Sequence, residues 1–184
     1  MSLHPEFQIR AQKEIDIIVN SGRLPDFDDR DDFPFVNAII QETLRWNPAS
    51  LIELYTMMFM KDFIFPQRSI IDPDADTIYR RAVTHDEALY GPNPDAFNPD
   101  RFMQVDSKPP DPELFAFGFG RRICPGRYLA MNTIYLTVAH LLATFTIAKA
   151  IDGDGNEVEP VAEFTPNFIS HPKPFKCRFI PRKA

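Results

Sequence analysis

The residues best suited to chemistry in this chain lie in Phe117-Gly-Phe-Gly-Arg-Arg-Ile-Cys-Pro-Gly126. Gly118, Gly120 and Gly126 permit tight turns and a close approach of the backbone to a flat ligand. Cys124 stands just before a predicted helix start, with Pro125 suited to the first helical position. The positive end of a helix and its free amides favour an anionic thiolate. A thiolate held in this way can ligate iron. Arg121 and Arg122 supply cations for the carboxylates of a ligand, and Phe117 supplies an aromatic wall.

Two further groups of charges stand out. Glu42-Thr-Leu-Arg45 puts a carboxylate and a guanidinium three residues apart on one helix face, where they can pair. Taken alone, such a pair usually lies on the surface and contributes little. Downstream, Phe97-Asn-Pro-Asp-Arg-Phe102 carries Arg101 within a proline-rich stretch.

The loop from Phe117 to Gly126 resembles the haem-binding signature of the cytochrome P450 family. Phe117, Gly120, Arg122, Cys124 and Gly126 fall at the pattern's fixed offsets. The text AIIQETLRWNP resembles that family's Glu-x-x-Arg helix, and FNPDRF resembles its second arginine motif. The three motifs stand in the family's order, and the likeness is to its fungal members. The resemblance implies haem b (iron protoporphyrin IX) as cofactor, Cys124 as axial iron ligand and Arg122 as partner of a haem propionate. It also implies a buried structural cluster of Glu42, Arg45 and Arg101 that holds the coil before the cysteine loop.

The activity so implied is that of a haem-thiolate monooxygenase, inserting one oxygen atom from O2 into an apolar small molecule. A thiolate axial ligand favours O–O cleavage. The implied partners are O2, that substrate and an NADPH-fed reductase, and the implied location of an intact member is the endoplasmic reticulum membrane. The start MSLHPEFQIR has no apolar run of anchor length. No text matches the family's acidic-threonine pair on the haem's distal side. The expected fold is therefore mainly α with small β-sheets, the C-terminal part of the cytochrome P450 fold and incomplete as a domain. The alternative is a truncated or mispredicted non-catalytic chain that at most binds haem.

The elements that must position these motifs follow from the pattern of the whole chain. Its 184 residues are 44% apolar, with 17 phenylalanines, enough for a buried core. The net charge of −6 speaks against a nucleic-acid partner. The 18 prolines are about twice the average usage of roughly 5%, which predicts long irregular stretches. Two cysteines make neither a disulfide framework nor a paired zinc spacing, so a reducing compartment is expected.

Apolar residues from Phe7 to Val19 recur with a helical period from Pro5 to about Asn20, and Gly22 and Pro25 end the run. The acidic stretch from Asp26 to Asp32 reads as a solvated linker. A second helix is predicted within 33–47, capped by Asp32, with Pro34 in its first turn and Pro48 after it. Residues 85–112 read as coil carrying the second arginine motif, and 127–149 as one long helix with an apolar exposed side. DGDG marks a turn, and 155–184 ends in short strands. His85 is expected to be exposed, His140 buried in the long helix, and Cys177 a packing residue of the final strands.

Segment 49–68 departs from the family text. Read one base displaced, its codons permit Pro-His-Arg followed by Asp-Val-Tyr-Glu-Gly, the pattern the family has there. The segment is therefore expected to be a shifted reading frame, the alternative being a divergent loop, and the coding DNA decides between them.

Overall fold

A computed structural model describes residues 1–19, 22–48, 83–104, 107–118, 121, 123–165 and 170–182. Segment 49–68 and its proposed frame shift lie outside the described residues. The described chain is mostly helical, with one three-stranded antiparallel sheet in which β1 (Phe145–Ile151) lies between β2 (Glu157–Val158) and β3 (Cys177–Pro181). It divides into two compact units.

The first unit comprises Met1–Ile40, Leu129–Thr165 and Pro172–Ala184. Helix α1 (Pro5–Ile18) buries Gln8, Ala11, Gln12 and Ile15, one stripe at helical spacing. Two of these four are glutamines, and buried amides must find partners. They find them on strand β1 (Phe145–Ile151) and the helix end before it. Gln8 Nε2 donates to the Ile147 carbonyl at 3.1 Å, and the Ile147 amide donates to Gln8 Oε1 at 2.7 Å. Gln12 Nε2 donates to the carbonyls of Phe145 at 3.0 Å and Leu142 at 3.3 Å. The glutamine amides thus extend the ladder where β2 (Glu157–Val158), paired only with Ala150 and Ile151, does not reach.

The long helix ends earlier than the sequence pattern predicts. It spans Arg127–Thr144, and β1 begins at Phe145. Phe145, Thr146 and Ile147 favour a strand, and β3 (Cys177–Pro181) pairs with Phe145 to Lys149. Arg182 supports the break, donating from Nη1 to the carbonyls of Leu142 at 2.9 Å and Ala143 at 3.2 Å. Those carbonyls belong to the last turn, which has no helical partners of its own. The helix buries Met131, Tyr135, Ala139 and Leu142, while Tyr128 and Leu129 are exposed. The DGDG turn joins β1 to β2, with Asp152 Oδ1 accepting from Asp154 and Asn156.

Helix α2 spans Pro34–Trp46. Asp32 does not cap it, because Arg30–Asp32 forms a 3-10 turn and Phe33 intervenes. The cap comes from α1: the Glu14 carboxylate accepts the amides of Phe35 and Val36, each at 2.9 Å. A carboxylate there meets both the orphan donors and the positive end of the helix.

The acidic stretch before α2 is likewise not a solvated linker throughout. Asp29 is buried and takes a two-pronged contact from Arg23 at 2.6 Å on each oxygen. That guanidinium holds the Asp29 carboxyl down at about 2. The long helix fixes the stretch: Tyr135 Oη donates to the Asp26 carbonyl at 2.9 Å, and His140 Nε2 lies 2.8 Å from the Pro25 carbonyl. His140 is half-buried by this contact.

The second unit comprises Gln41–Tyr128 and Pro166–His171. Its described residues hold the end of α2, short helices at Glu87–Tyr90 and Glu113–Ala116, and a 3-10 turn at Pro99–Met103. Turn chemistry shapes the coil between them. Asp86 caps the first helix at the Ala88 amide, and Asn98 accepts from the Asp100 amide. Gly91 follows Tyr90 at φ 76, a left-handed conformation suited to glycine. His85 differs from expectation: its side chain is 13% exposed, with Nδ1 3.0 Å from Thr84 Oγ1. Cys177 is half-buried at the start of β3 in the first unit, opposite Lys149.

Candidate functional site

The helical period of α2 puts Glu42 and Arg45 on one side, and both side chains are fully enclosed. Arg45 Nε donates to Glu42 Oε2 and Nη2 to Glu42 Oε1, each at 2.7 Å. This is a forked guanidinium–carboxylate contact, the strongest form of such a pair. Arg101, 5% exposed, brings its Nε to 3.3 Å from Glu42 Oε1 and 3.2 Å from Oε2. The three side chains are therefore together in one buried group.

One carboxylate against two guanidiniums leaves an excess positive charge, which burial makes costly unless hydrogen bonds offset it. Backbone carbonyls do so. Arg45 Nη1 donates to Thr84 at 2.7 Å and Nη2 to Ala96 at 3.3 Å. Arg101 Nη1 donates to Tyr90, and its Nη2 donates to Asn93 at 3.4 Å and Ala96 at 3.2 Å. The Asn98 amide in turn donates to Glu42 Oε1 at 2.7 Å. The coil from Thr84 to Asn98 is thus wrapped around the three charges. Trp46 adds to it, its indole donating to the Asp95 carbonyl at 2.8 Å and its ring meeting Phe97 edge-on at 5.8 Å.

These carbonyl partners carry no signal in the sequence, since every residue has one. Tyr90 had a faint signal, as an aromatic residue just before a glycine turn. It is 2% exposed, lies with its ring 5.5 Å from the Arg45 guanidinium carbon, and meets Phe102 edge-on at 6.4 Å.

The cysteine loop follows from Phe117. The Cys124 amide donates to the Phe117 carbonyl at 2.9 Å, closing the loop across its neck. Gly118 takes φ 77 beside it. The Arg127 amide donates back to the Cys124 carbonyl at 3.3 Å, so Pro125 and Gly126 form a turn and the helix starts at Arg127. Pro125 therefore fixes that turn and does not occupy the first helical position. Phe117 is buried, while Leu114 nearby is 58% exposed. Arg121 is exposed. Gly120 and Arg122 lie outside the described residues.

Cys124 is a free, half-buried thiol. A Cβ at position 126 would stand 3.8 Å from its Sγ, in van der Waals contact, so glycine there keeps side-chain bulk off the sulfur from that position. Among the described residues no three of His, Cys, Asp and Glu gather as a set for a metal ion. A single presented thiol fits an iron that brings its own macrocycle, and a glycine beside the sulfur fits the close approach of a flat group. The donor set is thus compatible with haem. No described helix is long and apolar enough to cross a membrane.

Comparison with known proteins agrees with this chemistry. The model of the cytochrome P450 family matches residues 1–179. The cytochrome P450 monooxygenase claR of Ampulloclitocybe clavipes is 42% identical over 190 residues, covering 100% of this chain and 34% of that protein. The tryptamine 4-monooxygenase of Psilocybe cyanescens is 38% identical, covering 99% of this chain and 36% of its own. The chain thus spans about a third of the length of the curated relatives it matches. A zebrafish cytochrome P450 solved with abiraterone shares the fold, with a TM-score of 0.70 at 23% identity, over 99% of this chain and 41% of that one.

Proposed function

Because the chain belongs to the cytochrome P450 family, we propose that it forms the cysteine side of a haem-thiolate monooxygenase. The reaction is insertion of one atom of O2 into an apolar small molecule. The observation that carries this reading is the closed loop from Phe117 to Cys124, with its free thiol and the glycine beside it. Haem b, when bound, would supply the oxygen activation, and Cys124 would hold its iron through the thiolate.

The chain's own residues have separate tasks in this reading. Cys124 holds the iron, and Arg122 pairs with a propionate. Phe117, Gly120 and Gly126 form the wall and the close approach. Glu42, Arg45 and Arg101 keep the coil before the loop in place. Electrons come from an NADPH-fed reductase, with the endoplasmic reticulum membrane as the location. The relatives' activities support the reaction class, and their names support no particular substrate here.

The test is to supply the full 184-residue chain with haem, reduce it and add carbon monoxide. The expected result is the red-shifted Soret band of a thiolate-ligated haem carbonyl, abolished by Cys124→Ser. A chain that takes up no haem, or a band that survives the substitution, overturns the reading.

A further inference from the structure

We propose that Tyr90 is a positioning residue for the cysteine loop, acting through its ring and its carbonyl and not through its hydroxyl. It touches both arginines of the buried cluster: the ring lies beside Arg45 at 5.5 Å, and the carbonyl accepts from Arg101 Nη1. A guanidinium within about 6 Å of an aromatic ring is attracted by it, more strongly when water is excluded. Its edge contact with Phe102 holds the residue next to Arg101. From Arg101 and Phe102 the chain runs on to Phe117, whose carbonyl fixes the Cys124 amide.

The hydroxyl stands apart from all this. Tyr90 Oη is buried and has no hydrogen-bond partner among the described residues, and burial pushes its pKa up to about 12. A buried hydroxyl without a partner costs stability, so it adds nothing to the contacts the ring makes. Phenylalanine keeps ring and carbonyl and removes the orphan. Leucine keeps the carbonyl and removes the ring.

The inference rests on the reading of Cys124 as the centre of the site, but its test needs no haem. The full chain and its Tyr90→Phe and Tyr90→Leu variants are exposed to an alkylating reagent, and modification of Cys124 and Cys177 is followed by mass spectrometry. Cys177 lies in the other unit and reports global unfolding. In Tyr90→Leu, Cys124 is expected to react about 30-fold faster, the factor that corresponds to one desolvated cation–π contact, with Cys177 unchanged. Tyr90→Phe is expected to match the wild type at both cysteines. An unchanged Cys124 in Tyr90→Leu, equal acceleration of both cysteines, or Phe behaving as Leu overturns the proposal. Failure of the wild type to take up haem overturns the proposed function and leaves these outcomes readable.

Discussion

Arg45 reaches Glu42 with two hydrogen bonds of 2.7 Å, and neither side chain has any exposure. Glu42 also accepts from Arg101 and from the Asn98 amide. Among the described residues it is therefore the one side-chain anion against two enclosed cations. Removing one partner from such a group leaves uncompensated buried charge, at a cost of about 3–5 kcal/mol. Glu42→Gln, which keeps the shape, is expected to lose stability on that scale in denaturant unfolding. Arg45→Lys is expected to lose nearly as much, because an ammonium cannot make the forked contact or reach the Thr84 and Ala96 carbonyls together. A loss well below about 1 kcal/mol for both, typical of exposed pairs, would show that the cluster is not desolvated in solution.

The two amides at the start of α2 make a second test. Glu14 receives Phe35 and Val36 from a different helix, so it both caps α2 and ties α1 to it. Glu14→Ala is expected to cost about 1–2 kcal/mol, the upper range for a lost cap, and to speed hydrogen exchange at the Phe35 and Val36 amides first. Glu14→Gln keeps one acceptor and is expected to lose about half as much. Equal exchange in wild type and Glu14→Ala would remove the cap from the account.

Gln8 offers a third. Its amide makes both a donor and an acceptor contact with Ile147. Gln8→Leu fills similar space and leaves the Ile147 amide and carbonyl without those partners, which costs about 1–3 kcal/mol for an enclosed group. Thermal unfolding of the variant measures it, and the Ile147 amide is expected to lose its exchange protection. Retained protection would mean another group satisfies that edge of β1.

What could be read from sequence and what could not divide along physical lines. The grouping of Glu42, Arg45 and Arg101 was legible because each motif is carried by a short run of side chains with fixed offsets. The helix of Pro34–Trp46 was legible from its period and its flanking prolines. The break at Phe145 was not, because Leu141 to Ile151 is apolar enough for either state and only the pairing with β3 decides it. The Glu14 cap, the glutamine contacts to β1 and the burial of His85 were hidden for a related reason. Each depends on a partner brought close by folding, and neither residue's neighbours in the chain announce it. Asp29 was misread because its sequence, DFDDRDD, has the composition of a solvated loop, while one of its carboxylates has a cation from six residues upstream.

That carboxylate gives the remaining prediction. Asp29 stands at about 2 against an ordinary 3.8, chiefly because Arg23 donates to it. Its folded pKa is lowered, so its contribution to stability is present in full above about 3.8 and is lost as pH falls through about 2. Arg23 is half exposed, so solvent and salt screen the pair, and the size of the effect is expected to shrink as ionic strength rises. Asp29→Asn abolishes the titration. The wild type is expected to lose more stability than Asp29→Asn on acidification across that window, and the two curves to run parallel above pH 5, where the carboxylate is ionised in both states. Unfolding midpoints of both proteins, measured at low salt through that range, decide it. Parallel curves throughout would show that Arg23 does not hold Asp29 ionised, and that the stretch from Pro25 to Asp29 depends instead on Tyr135 and His140.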